Sequence, residues 1–76
     1  MTTDTIRLAI AQIAKRPPSE IQPAQRLTED LGIRSLARVE LAVLLEEKLG
    51  RSVPDQTVMI AKTVADLESR LAAPPP

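Results

Sequence analysis

Ser35, in the run Asp30-Leu31-Gly32-Ile33-Arg34-Ser35-Leu36, is the residue whose type and setting offer the clearest chemistry in the chain. A serine at the start of a helix is most often an N-cap, its oxygen accepting an unpaired backbone N–H. Capping does not exclude modification. A phosphodiester on the same oxygen would sit where free N–H groups and the positive end of the helix dipole favour an anion. Gly32 gives the preceding loop the freedom to present the side chain. Catalysis is a poor reading of the same serine. A nucleophile needs a base within hydrogen-bond reach, the sequence has no histidine, and Ser35 has neither a Ser-x-x-Lys spacing nor a glycine-rich oxyanion loop. The neighbouring carboxylates Glu46-Glu47 and Glu29-Asp30 point to different sides of their segments and make no acid–base pair. The chain is therefore expected not to be an enzyme.

Composition narrows the remaining classes. Ten basic and ten acidic residues cancel, so no global field draws the chain to nucleic acid or to an anionic membrane. Aromatic residues are absent, which removes the stacking platforms used by single-strand binders. Without cysteine or histidine a metal would need a carboxylate cluster, and none has the spacing of a calcium loop. No apolar run approaches the roughly 20 residues that span a bilayer, and the first residues lack the basic start of a signal peptide. A cytoplasmic monomer with no nucleic-acid, membrane or metal partner is expected.

The elements that must position Ser35 follow from apolar spacing. Thr3 or Asp4 can cap a first helix whose Ile6, Ala9, Ile10, Ile13 and Ala14 fall at i, i+3, i+4, i+7 and i+8. Lys15 and Arg16 suit its negative end, and Pro17-Pro18 should stop it. Residues 17–34 then form a connection longer than about 12–15 residues, a length beyond which loops are commonly functional or disordered. Its Ile21, Leu27, Leu31 and Ile33 are expected to pack it across the bundle, the alternative being a plain spacer.

A second helix is predicted over 35–49, ended by Gly50. At about 100° per residue, Leu41, Ala42, Leu45 and Leu49 share one face while Leu36 and Val43 lie opposite, beside Glu40 and Glu47. One stripe fills the core. The other, rimmed by carboxylates, is either a docking surface or a second buried face. After Val53-Pro54-Asp55, a short helix or turn capped by Asp55 should include Val58, Met59 and Ile60. Thr63 and Asp66 have capping-box spacing ahead of a last helix over 64–72, which carries Val64, Leu67 and Leu71. The fold class is thus all-α: a small four-helix bundle, three helices longer and one short, forming one domain over residues 1–73. Residues 74–76, all proline, read as a tail or linker stub, whereas Met1 favours a free-standing protein.

The run from Asp30 to Leu36, followed by Val39-Glu40-Leu41, Leu45-Glu46-Glu47, Val53-Pro54-Asp55 and Thr63-Val64-Ala65-Asp66-Leu67, resembles the acyl carrier protein family. The likeness runs in one register from about Leu27 to Leu71. It implies a bundle of the acyl-carrier type in which Ser35 receives phosphopantetheine from coenzyme A through a phosphopantetheinyl transferase. It further implies acyl or polyketide intermediates held as thioesters for acyl-transferring or ketosynthase-type enzymes, within fatty acid or polyketide biosynthesis. The family's second helix is its recognition element. Leu36, Glu40, Val43 and Glu47 match its positions, with Arg34 and Arg38 expected beside them as further partner contacts.

Two departures stand out. Arg34 replaces the aspartate usual before the modified serine, and Ala37 and Arg38 occupy a turn that is often acidic in the family. Between residues 34 and 51 the bases Arg34, Arg38, Lys48 and Arg51 outnumber Glu40, Glu46 and Glu47. Arg34 is either a solvated residue of a divergent carrier, free to pair with the phosphodiester, or the mark of a dedicated partner set with acidic residues at that point. A peptidyl or aminoacyl carrier is a close variant. The alternative from another class is an unmodified carrier-like module that binds partners through the second helix. A helix-turn-helix DNA binder is disfavoured by the charge balance and by a connection far longer than that motif's turn of about 3–4 residues.

Overall fold

A computed structural model describes residues 2–72, with side chains from Asp4 onward. Four helices carry the chain: α1 (Thr2–Ala14), α2 (Ser35–Leu49), α3 (Asp55–Ile60) and α4 (Val64–Ala72). Their aliphatic stripes meet in one core, in which Ile6, Ile10, Leu27, Leu41, Leu45, Val58 and Leu67 are fully buried. The expected four-helix bundle is the observed one. The proline tail lies outside the described residues.

In α1 the stripe is joined by Ala11, while Ile13 and Ala14 pack at its edge. The helix begins at Thr2, so Thr3 and Asp4 lie within its first turn and neither precedes it as a cap. Its end also differs from expectation. Lys15 takes a left-handed conformation with φ 59, and the Arg16 N–H donates to the Ala11 carbonyl at 3.0 Å. This reversal satisfies an orphan carbonyl and ends the helix before Pro17. A lysine there meets the steric cost that glycine avoids, roughly 1–2 kcal/mol per residue. Lys15→Gly should therefore stabilise the fold by about 1 kcal/mol, less the entropy glycine adds to the unfolded chain. An unchanged or lower urea midpoint would contradict this.

The long connection is packed, as its scattered aliphatics require. After a 3₁₀ turn at Pro18–Glu20, Ile21, Leu27, Leu31 and Ile33 are all buried. Arg26 and Thr63 form an isolated antiparallel bridge, flanked by Leu27 N–H to Lys62 carbonyl at 2.9 Å and Val64 N–H to Gln25 carbonyl at 3.0 Å. The loop is thus tied to the start of α4. Asp30 accepts the Arg26 N–H at 2.7 Å, and that bond, with the Arg26 guanidinium, holds its carboxyl below the usual range. Gly32, with φ 70, closes the turn by donating to the Thr28 carbonyl at 3.0 Å.

The ends of α2 and α4 show how short-range chemistry sets the frame. Gly50 (φ 66) reverses the chain after α2 and donates to the Glu46 carbonyl at 2.9 Å. Glu46 in turn accepts the Val53 N–H at 3.0 Å, fixing the next turn. At α4, Thr63 Oγ1 accepts the Asp66 N–H at 3.0 Å. The return bond runs from Lys62 N–H to Asp66 Oδ2 at 2.9 Å, one residue earlier than in a standard capping box. That bond, assisted by Arg70, keeps the Asp66 carboxyl below its ordinary value. Arg7 of α1 pairs with Glu68 of α4 at 2.7 Å and joins the outer helices.

Candidate functional site

α2 starts at Ser35, as its spacing predicts, but Ser35 is not its cap. Arg34, with φ −95 and ψ −174, is the N-cap and makes no side-chain capping bond; Ser35 is the first helical residue. Ser35 is exposed, and among the described residues its hydroxyl has no hydrogen-bond partner. The reading of Ser35 as an ordinary cap is therefore corrected. Its side chain is open to solvent.

The second helix has the two faces its periodicity predicts. Leu41, Ala42 and Leu45 are buried and Leu49 packs at the core edge. On the opposite side Leu36 is 75% and Val43 52% exposed. Glu40, Glu47 and Arg34 are also exposed, and among the described residues none of the three forms an ion pair. Such an apolar strip with unpaired charges at its margin resembles a recognition surface more than a surplus of core.

Arg38 departs most from expectation. Grouped from sequence with the partner contacts, it is only 8% exposed and faces the interior. Its Nη1 donates to the carbonyls of Val58 at 2.8 Å, Met59 at 3.1 Å and Ala61 at 2.6 Å. Nε reaches the Ile33 carbonyl at 3.3 Å, and Nη2 reaches Thr28 Oγ1 at 3.0 Å. Thr28 Oγ1 itself donates to the Ile33 carbonyl at 2.9 Å. One guanidinium thus ties the loop before Ser35 to the C-terminal end of α3, whose last carbonyls lack helical partners. Its planar fork suits that task in a way a lysine would not. Arg38 is a strut of the site and not a surface contact.

Arg51, another of the bases counted near the second helix, is also engaged internally, donating to the Leu71 carbonyl in the last turn of α4. Arg34 and Lys48 remain exposed. The surface at α2 is accordingly less basic than the residue count implies.

A groove of about 380 Å³ opens beside the serine, lined by Thr28, Arg34, Ser35, Arg38 and Met59. A second, of about 520 Å³, shares Arg38 and Met59 and continues past Ile60 to Lys62 and Thr63. Of α3 only Val58 is buried; Met59 and Ile60 are 41% and 48% exposed. Met59 and Thr28 as walls of the Ser35 groove were not legible in the sequence, because neither lies near Ser35 along the chain. Among the described residues no acidic or histidine cluster could hold a metal, and no helix is long and apolar enough to cross a membrane.

Fold and site together define a helical-bundle protein that presents one serine at the head of a two-faced helix. Residues 4–71 match the family described as "Phosphopantetheine attachment site". The chain is 41% identical over 63 residues to an acyl carrier protein of Acidothermus cellulolyticus, covering 83% of this chain and 75% of that protein. It is 38% identical over 64 residues to an acyl carrier protein of Thermobifida fusca, covering 84% and 81%. A meromycolate extension acyl carrier protein of Mycobacterium tuberculosis is 38% identical over 71 residues, 88% of this chain but 62% of that longer protein. The chain belongs to the acyl carrier protein family, whose members carry acyl groups on covalently attached phosphopantetheine.

Proposed function

We propose that Ser35 is the attachment point of phosphopantetheine and that α2 presents the loaded serine to partner enzymes through Leu36, Glu40, Val43 and Glu47, with Arg34 at the head of the strip. The observation that carries this reading is the exposed Ser35 hydroxyl, free of hydrogen bonds among the described residues, on a helix whose outward face is apolar and charged but unpaired.

The residues fit the group. Ser35 Oγ can form the phosphodiester, and the adjoining groove has arginine on two sides and no carboxylate in its lining. When bound, the group supplies a terminal thiol on a long arm. Everything else is positioning: Gly32 and Ile33 bring the chain into α2, Arg38 fixes that loop against α3, and the core face of α2 keeps the strip outward. The base that takes the Ser35 proton has to come from the transferase, since the chain has no histidine and no described side chain is hydrogen-bonded to that oxygen. Incubating the chain with coenzyme A and a phosphopantetheinyl transferase should raise its intact mass by one phosphopantetheine, located by fragmentation at Ser35. No gain with any transferase, including that of the native host, would leave an unmodified interaction module.

Acyl-transferring and ketosynthase-type enzymes are the partners this reading requires. Relatives named for meromycolate extension, beside others named simply as acyl carriers, support acyl cargo as its class. The strip makes a separable prediction. Leu36→Ala should cost a partner enzyme about tenfold in kcat/KM for the loaded carrier, the scale of a modest interface anchor. Stability should stay within about 0.5 kcal/mol, because the side chain is largely in solvent. Unchanged kcat/KM with every partner tested would rule this face out.

A further inference from the structure

We infer that the groove beside Ser35 is a seat for the phosphodiester, with Arg34 as its gripping cation and Arg38 as a fixed positive charge in its wall. The inference rests on Ser35 being the attachment point. Arg38 is a permanently charged side chain, nine-tenths buried, whose hydrogen-bond acceptors are all neutral: four backbone carbonyls and the Thr28 hydroxyl. Burying a cation away from any anion is costly, and a buried charge is ordinarily paired.

An anion on Ser35 would come close to that charge, because Arg38 lines the same groove as Ser35. Among the loop's carboxylates, Glu29 lines the second groove with Arg38 but forms no ion pair with it among the described residues. Glu29 and Asp30 both pair with Arg26, at 4.0 and 3.4 Å. Arg34 lines the groove too, is exposed, and forms no ion pair among the described residues.

Donors also remain. Nη2 of Arg38 carries two hydrogens and has one acceptor, Thr28 Oγ1. A phosphodiester on Ser35 Oγ would place its charged oxygens beside both guanidinium groups, where charge-assisted bonds are strongest. The basic residue that replaces the family's usual aspartate would then restrain the root of the arm, leaving the rest of the arm free.

The test compares modified with unmodified protein for the wild type, Arg34→Ala and Arg34→Lys, each verified by intact mass. Thermal midpoints are measured at low and at 1 M salt, and the ³¹P resonance of the modified forms is recorded. Taking the modified-minus-unmodified difference within each variant cancels whatever the substitution does to the bare fold. Modification should raise the wild-type midpoint by about 4 °C at low salt and by much less at 1 M salt, where exposed charges are screened. Arg34→Ala should lose at least half of that gain and shift the ³¹P resonance; Arg34→Lys should fall between. Equal gains in all three variants with superposable ³¹P resonances would overturn the seat while leaving Ser35 as the attachment point. Failure of the wild type to accept the group would remove the attachment reading, and the seat with it.

Discussion

Ser35→Ala is expected to fold like the wild type and to remain at the unmodified mass under conditions that fully convert the wild type. The first half follows from the local structure. Ser35 is the first residue of α2 rather than its cap, is exposed, and among the described residues has no hydrogen bond to lose. Alanine is the best helix former, so the change in stability should stay within about 0.5 kcal/mol. The second half tests the chemistry. Ser19, Ser52 and Ser69 are exposed as well, so loss of the hydroxyl at one position of several is a demanding control. Ser69 lies inside α4 and Ser19 within the 3₁₀ turn; neither heads a helix of comparable length beside a basic groove. A Ser35→Ala protein that still gained mass would move the attachment point elsewhere. One that unfolded would mean that the hydroxyl is structural after all, and circular dichroism on the same sample separates the two results.

Much of this arrangement was readable from residue spacing. The limits of α2 at 35–49 and α4 at 64–72 follow from apolar period plus local stop and start signals, Gly50 for one and Thr63 with Asp66 for the other. Those signals act within a turn of the residue that carries them, so they can be read without knowing the distant partners. The two faces of α2 were legible for the same reason.

What escaped the sequence depends on backbone geometry or on distant partners. The left-handed Lys15 is invisible because proline two residues on offered a simpler reason for the helix to end. Arg38 is the instructive case. Helical phase places it with Leu41, Ala42 and Leu45 on the inward side, three residues after Ser35 opens the helix. Its charge argued for the surface, and charge is the better guide for an isolated residue. Phase prevailed because α3 ends in free carbonyls at just that point, and nothing between residues 38 and 58 announces the meeting. A charged residue in phase with a core stripe is the signal that could have flagged it.

Arg38→Met should destabilise the protein by about 3 kcal/mol, the largest effect expected of any substitution near the site. The opposing terms can be weighed. A hydrogen bond to a charged donor contributes about 1.5–3 kcal/mol, and several carbonyls would lose theirs together. Full additivity is not expected, since Nη1 serves three acceptors with two hydrogens and water can reach the half-exposed end of α3. Removing a buried cation also returns part of its desolvation cost, and the methionine chain retains much of the packing. The net lies well below the sum of the bonds but is large for a domain of this size, whose whole stability is about 4–11 kcal/mol. Arg38→Lys, which keeps the charge without the fork, should lose about half as much. The loss should also be localised. With a single buried side chain, α3 depends on Arg38 for its C-terminal end, so amide exchange there should accelerate well before that of α1 or α4. Uniform acceleration would make Arg38 an ordinary core residue, and unchanged stability would mean that water replaces it at every carbonyl. If exchange rises in α3 alone, Met59 loses its fixed place beside Ser35, and Arg38 is shown to position the groove from beneath rather than to touch a partner from above.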